Sequence, residues 1–161
     1  MDANRPANLL LVEDEHLLRD LVAQFLRGEG FAVVEACDGP EGVERFTDSG
    51  PFDLALVDLN LPGCSGVEVC RRIKRIKADQ RVMICSAAIV LDHERALQAL
   101  GVAHYLTKPY HPETLLAHIG EEIGVRPRTI RLDRGGDPGS AARRATARGE
   151  GAPLVKPRIF D

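Results

Sequence analysis

The sequence contains no apolar run that approaches the ~18 residues needed to cross a lipid bilayer. Residues 1–6 also lack the apolar stretch of a secretory signal. The composition, with 44% hydrophobic and 28% charged residues, is that of a globular protein able to bury a core. We therefore predict one domain of ordinary size that is cytoplasmic and not inserted in a membrane.

The sequence also lacks the cysteine patterns of zinc sites. Its four cysteines form no CxxC pair and show no zinc-binding spacing with histidine. We predict that all four are free thiols that act as small buried hydrophobic residues: Cys37, Cys64, Cys70 and Cys85.

Positive charge is scarce in the first 125 residues. Residues 1–125 hold 12 Lys and Arg against 20 Asp and Glu, whereas residues 126–161 hold 9 against 4. A basic run at 71–77 could suggest a nucleic-acid patch, but Val69, Ile73 and Ile76 fall at helical spacing and leave its cations on a solvated face. We predict no direct DNA binding by the body of the chain.

Five apolar runs of strand length alternate with amphipathic segments along the chain. The runs are continuous, a pattern typical of strands covered on both faces. We predict strands at 8–12, 31–36, 53–57, 82–85 and 103–106.

Between these runs, apolar residues recur at helical spacing. In the first helix Gly28 and Gly30 close the pattern, which consists of Leu17, Leu18, Leu21, Val22, Phe25 and Leu26. Pro112 is placed to open the last helix. Further helices are predicted at 39–46, 67–76, 92–100 and 113–123. Five βα units in series predict an α/β fold, a parallel sheet wound with helices on both faces, with its site beyond the carboxyl ends of the strands.

The composition of the sequence changes near Gly124. Residues 126–161 contain 5 Gly and 4 Pro and no sustained apolar period. We predict a folded domain over 1–124 and a basic, mostly disordered tail or linker over 125–161.

Polar residues that can carry chemistry follow four of the predicted strands: Glu13 and Asp14, Asp58, Ser86, and Lys108. Carboxylates packed together repel one another, and a divalent cation relieves that repulsion. Oxygen ligands of this kind suit Mg²⁺, and Lys108 can neutralise the oxygens of a phosphoryl group. We therefore predict that one of these carboxylates is a nucleophile that forms an acyl phosphate, with Ser86 placed to hydrogen-bond a phosphoryl oxygen.

These residues stand in motifs that resemble the receiver domain of bacterial two-component response regulators, of the chemotaxis-receiver kind. The resemblance covers roughly residues 8–124. Its motifs are LLLVEDE at 9–15, LVDLNLPG at 56–63 with Gly66 beyond, SA at 86–87 and YLTKP at 105–109. Glu13 and Ser86 are the rarer members of accepted pairs, since Asp and Thr are common there, and neither removes a functional group.

The resemblance implies a role for each residue in the motifs. Asp58 is the phospho-acceptor, Lys108 pairs with the phosphate, Ser86 is the switch hydroxyl and Tyr105 the switch aromatic. The implied Mg²⁺ site consists of the acidic pair Glu13 and Asp14, of which Asp14 is a direct ligand, together with Asp58 and the backbone carbonyl of Asn60.

Other expectations follow from the same resemblance. It implies the flavodoxin-like strand order 2-1-3-4-5 with five helices. It also implies a cis peptide bond before Pro109, with an ordinary trans bond as the alternative. A sensor histidine kinase or phosphotransfer protein would supply the phosphoryl group, a downstream target protein would read the change, and Mn²⁺ would substitute for Mg²⁺. Beyond self-phosphorylation and self-dephosphorylation at Asp58, no enzyme activity is implied.

Two questions stay open at the level of sequence. The chain is either a stand-alone regulator or a receiver cut from a longer regulator or hybrid histidine kinase. A metal-dependent phosphatase of the haloacid dehalogenase type also forms an aspartyl phosphate, but it needs a second Asp two residues after the nucleophile. Asn60 occupies that place, which disfavours the phosphatase.

Overall fold

The fold is a parallel sheet with the strand order β2-β1-β3-β4-β5, seen in a computed structural model that describes residues 5–125. The strands are β1 (Asn8–Val12), β2 (Ala32–Ala36), β3 (Leu54–Val57), β4 (Val82–Ser86) and β5 (His104–Thr107). The helices are α1 (His16–Gly28), α2 (Gly39–Asp48), α3 (Gly66–Ile76), α4 (Leu91–Ala99) and α5 (Pro112–Ile123). The doubly wound fold and its strand order are confirmed, and no predicted strand end is wrong by more than one residue.

Side chains of the central strands alternate between two cores. Leu9 and Leu11 of β1 pack in one cluster with buried residues of α1 and α5. Leu10 and Val12 pack in the other, with buried residues of α2, α3 and α4. Because successive side chains of a strand point to opposite faces, the sheet is covered on both sides. Its continuous apolar strands are explained by this double burial.

Local signals set where several helices begin and end. Asp38 caps α2 by accepting the main-chain N–H of Glu41 at 2.7 Å. Ser65 accepts the N–H of Glu68 in the same way, at 3.4 Å, and opens α3. Pro112 opens α5, as predicted, and Gly124 ends it with a φ of 70°.

The apolar stripe of α1 is wider than the face that the sheet covers. The buried residues of this helix are Val22, Ala23 and Leu26. Leu17 and Leu21, which belong to the same predicted pattern, are 78% and 67% exposed. The periodicity therefore predicted the helix correctly but overstated its buried face.

All four cysteines are free thiols, as predicted. Cys70 and Cys85 are buried, and burial raises the pKa of each thiol to about 12. Cys37 is exposed and Cys64 is partly exposed, so the predicted burial is wrong for these two. Both stand in loops that flank α2 and α3 rather than on their apolar faces.

Within residues 5–125, no helix is both long enough and apolar enough to span a bilayer. The tail predicted over 125–161 lies outside the described residues except for Val125.

Candidate functional site

The candidate site lies where β1 and β3 end side by side. Val12 of β1 is in register with Val57 of β3. The residues that follow them, Glu13 and Asp58, are therefore neighbours at the carboxyl edge of the sheet. The main-chain N–H of Asp58 donates to the carbonyl of Val12 at 3.0 Å, which fixes the start of the loop after β3.

Lys108 joins the two buried carboxylates. Its Nζ lies 2.5 Å from Glu13 Oε2 and 2.5 Å from Asp58 Oδ2. The main-chain N–H of Lys108 donates to the carbonyl of Ser86 at 3.0 Å, which ties the end of β5 to the end of β4. The structure thus brings together side chains that are up to 95 residues apart in sequence, as the motif spacing predicted.

Burial and ion pairing act in opposite directions on the charges of this cluster. Burial raises the pKa of Glu13, against the hydrogen bond from Lys108 that lowers it. Burial also lowers the pKa of Lys108, but hydrogen bonds to Asp58 and Glu13 outweigh it and leave that pKa raised. Lys108 is therefore held as a cation at the point where negative charge is concentrated.

The donor set fits a divalent cation. Carboxylate oxygens of Glu13, Asp14 and Asp58 all lie within 4.8 Å of one another. Three carboxylates and the single ammonium of Lys108 leave an excess of negative charge that a divalent cation would balance. Asp14 is exposed while Glu13 and Asp58 are buried, so one side of the cluster faces water. Hard oxygen ligands with room for water molecules are the surroundings that Mg²⁺ prefers.

Asn60 contacts the cluster through its main chain. Its N–H donates to Asp58 Oδ1 at 3.0 Å, while Lys108 binds the other oxygen of the same carboxylate. Both oxygens of Asp58 are thus oriented. Ligation of a metal by the Asn60 carbonyl stays a prediction.

The loop after Asp58 folds back on itself at the Pro62-Gly63 pair. The N–H of Cys64 donates to the carbonyl of Pro62 at 3.0 Å, across Gly63, whose φ is 80°. Only glycine adopts that backbone conformation without strain. The loop closes where the N–H of Gly66 donates to the carbonyl of Leu59 at 3.0 Å.

Ser86 and Tyr105 lie on neighbouring strands of the same half of the sheet. Ser86 is fully buried at the end of β4, and its hydroxyl donates to the carbonyl of Ala88 at 3.4 Å. Tyr105 is partly buried on β5 and donates to the carbonyl of Val102 at 2.7 Å. The Lys108–Pro109 peptide bond is cis, as the resemblance implied.

Arg19 belongs to the site, and the sequence analysis did not identify it. Its Nη1 donates to the carbonyl of Glu13 at 2.8 Å and approaches that of Asp14 at 3.4 Å. The side chain is only 14% exposed. Its one signal in the sequence is an arginine five residues after Asp14, in the first turns of the first helix.

Comparison with known families identifies one match. The model of the response regulator receiver domain matches residues 9–120. This range contains all of the site residues described above and stops within α5.

Curated relatives agree with that match. The chain is 37% identical over 130 residues to the sensory transduction protein RegX3 of Mycobacterium tuberculosis, covering 81% of this chain and 52% of that protein. It is 31% identical over 119 residues to the transcriptional regulatory protein ResD of Bacillus subtilis, covering 74% and 49%. The chain thus spans about half the length of the curated relatives it matches.

Solved structures share the fold. A CheY-like response regulator receiver domain protein of Methanospirillum hungatei superposes with a TM-score of 0.71 at 26% identity, covering 74% of this chain and 94% of that one. The response regulator protein TrrA of Thermotoga maritima, in complex with Mg²⁺ and BeF, gives 0.63 at 28% identity and covers 72% and 98%.

Proposed function

The chain belongs to the response regulator receiver domain family, and on that premise we propose that Asp58 accepts the phosphoryl group in two-component signal transduction. The observation that supports this role is the arrangement of Asp58 itself. Its two oxygens are oriented by Lys108 and by the N–H of Asn60, beside the carboxylates of Glu13 and Asp14. A carboxylate held in this way is placed for attack on phosphorus.

The proposed reaction is a displacement at phosphorus. An Asp58 oxygen forms a bond to phosphorus while the bond between phosphorus and the donor's leaving group breaks, and the leaving group keeps the electron pair. Lys108 remains a cation beside the reacting carboxylate and pairs with the transferred phosphoryl oxygens. Mg²⁺ would supply further neutralisation of charge on the phosphoryl group. The groups that would hold it are Glu13, Asp14, Asp58 and the Asn60 carbonyl. Mn²⁺ accepts the same oxygen ligands and is proposed as a substitute.

Receiver domains are not classical enzymes. Self-phosphorylation and self-dephosphorylation at Asp58 belong to this proposal, as does a histidine kinase or phosphotransfer protein as donor. Incubation with acetyl phosphate, followed by intact-mass analysis, tests the chemistry without a protein donor. One phosphoryl group should be added when Mg²⁺ or Mn²⁺ is present and none when the cation is chelated. Equal labelling in a chelator would contradict the proposed role of the acidic cluster.

Two further statements about partners are proposals. We infer that the body does not bind DNA directly, since its net charge is negative and Glu68 pairs with both Arg71 and Arg72. A downstream protein target is proposed instead. The cytoplasmic location stays a prediction.

The length of the relatives favours one of the open alternatives. Because the chain spans about half of each, a receiver that belongs to a longer regulator is favoured over a stand-alone one. The phosphatase alternative has no observation in its favour, since Asn60 occupies the place of the second Asp and presents its N–H to Asp58.

We expect phosphorylation to shift an existing equilibrium through Ser86 and Tyr105. The Ser86 hydroxyl now donates to a loop carbonyl, so it can reach a phosphoryl oxygen only if the loop after β4 moves. That movement would vacate space for the Tyr105 ring to turn inward. Amide shifts on addition of beryllofluoride with Mg²⁺ should cluster at 93–98, 104–105 and 113–118. Shifts confined to the loops around Asp14 and Asp58 would contradict the switch.

Dispensability of the tail is a separate prediction. The family match ends at residue 120 and Gly124 ends α5, which supports a boundary there. Truncation after Gly124 should leave the melting temperature and the rate of Asp58 labelling nearly unchanged, while weakening capture of the downstream target. Loss of folding or of labelling would mean that the domain extends beyond α5.

A further inference from the structure

The three carboxylates of the cluster are not positioned in the same way. Glu13 accepts from Lys108, and Asp58 accepts from Lys108 and from the N–H of Asn60. Among residues 5–125, the Asp14 carboxylate has no hydrogen-bond or ion-pair partner, and it is exposed. No side-chain contact holds it, so the direction in which it leaves the backbone depends on its own main chain.

Arg19 holds the main chain on both sides of Asp14. The carbonyl of Glu13 belongs to the peptide group that precedes the Asp14 Cα, and the carbonyl of Asp14 belongs to the one that follows it. Nη1 of Arg19 is 2.8 Å from the first oxygen and 3.4 Å from the second. Fixing both peptide planes fixes φ and ψ of Asp14, and with them the direction of its Cα–Cβ bond.

The guanidinium group is itself anchored from the opposite side. Nε of Arg19 lies 3.8 Å from Glu35 Oε2 on β2, and Arg27 binds the other oxygen of Glu35 at 2.8 Å. The Arg19 side chain is mostly buried, whereas that of Arg27 is 47% exposed. Arg19 therefore bridges the edge strand and the acidic loop, while Arg27 contacts only the strand side of this network.

We propose that Arg19 is a positioning residue that sets the affinity of the acidic cluster for a divalent cation by orienting Asp14. The inference rests on the proposed function, because it needs a cation at that cluster. Residues that orient a metal ligand typically change metal affinity about 10- to 100-fold when they are replaced. The direction of the change in affinity distinguishes positioning from charge. If Arg19 acted only through its positive charge, its removal would tighten cation binding instead.

The test compares Arg19→Gln with the matched control Arg27→Gln in the full chain. Titration with Mg²⁺ alone, followed by amide chemical shifts, gives the dissociation constant, and thermal unfolding gives stability. Arg19→Gln should raise the dissociation constant about tenfold or more and change the Asp14 and Glu15 amide shifts before any cation is added. Arg27→Gln should leave the dissociation constant within about twofold, although it removes an ion pair to the same glutamate.

Two additional variants separate geometry from charge and from folding. Arg19→Lys keeps the charge and a hydrogen-bond donor group but loses the planar guanidinium, so it should restore part of the affinity. Glu35→Gln loosens the anchor of the guanidinium and should cause a smaller increase in the dissociation constant. This variant provides the test if Arg19→Gln does not fold. Unchanged or tighter Mg²⁺ binding by Arg19→Gln, or equal weakening in Arg27→Gln, would overturn the inference. A wild-type chain that binds no Mg²⁺ would instead overturn the proposed function on which it rests.

Discussion

Asp58→Asn should abolish the incorporation of a phosphoryl group from acetyl phosphate in the presence of Mg²⁺. An amide oxygen is a poor nucleophile, and its adduct would not be a stable acyl phosphate. Among the carboxylates of residues 5–125, only Glu13 shares this set of features: it is buried at the same edge, it binds Lys108 and it accepts a main-chain N–H. The pKa of Glu13 is raised above its usual value. Intact-mass analysis after incubation should therefore show only the unmodified mass.

The fold should survive this substitution. Asparagine keeps an oxygen that can accept from Lys108 or from the N–H of Asn60, and it removes one of three mutually repelling carboxylates. We expect an unchanged or slightly raised melting temperature. Asp79→Asn, at an exposed turn, is the matched control and should be labelled like the wild type. Labelling of Asp58→Asn at the wild-type level would mean that the acceptor has been wrongly assigned.

The fold could be predicted almost completely from the sequence because its signals are local and consistent. Each central strand is a short continuous apolar run, and each is followed by a segment with helical periodicity. Parallel strands require crossovers of a fixed hand, so few topologies fit five such units. Periodicity alone could not show how much of α1 is covered, because that depends on which elements pack against it. Leu17 and Leu21 belong to the apolar pattern and are nevertheless exposed.

The candidate site was predictable to the extent that strand ends converge. Glu13 and Asp58 follow two buried strands in parallel register, and Lys108 follows the edge strand β5 and reaches both carboxylates with its side chain. What the sequence could not show is how each carboxylate is held. Arg19 acts on carbonyl groups, which every residue carries, so no motif marks its contact with the acidic loop. A contact that a side chain makes with main-chain atoms leaves no pattern of residue types in the sequence.

The other large effect concerns Gly66, the first residue of α3. A Cβ at this position would lie 2.0 Å from the carbonyl oxygen of Asp58 and 2.8 Å from the Cα of Leu59. Both are main-chain atoms, so neither can move aside by changing a rotamer. The N–H of Gly66 also donates to Leu59, which holds the helix start against the loop. The absence of a side chain at residue 66 is therefore what allows α3 to begin directly against the phospho-acceptor loop.

Gly66→Ala should consequently damage both stability and chemistry. Forcing a methyl group against the backbone should cost about 3 kcal/mol of the free energy of unfolding, which corresponds to a melting temperature lower by roughly 10 °C. Displacement of the Asp58 main chain should slow labelling by acetyl phosphate about tenfold or more, measured well below the new melting temperature. Gly28→Ala is the matched control, because an added Cβ at the exposed end of α1 meets nothing within 4 Å beyond its chain neighbours and its own helix backbone. That variant should be neutral or more stable by about 0.5 kcal/mol and should be labelled normally. If Gly66→Ala behaves like Gly28→Ala in both measurements, close packing of α3 against the Asp58 loop does not position the acceptor.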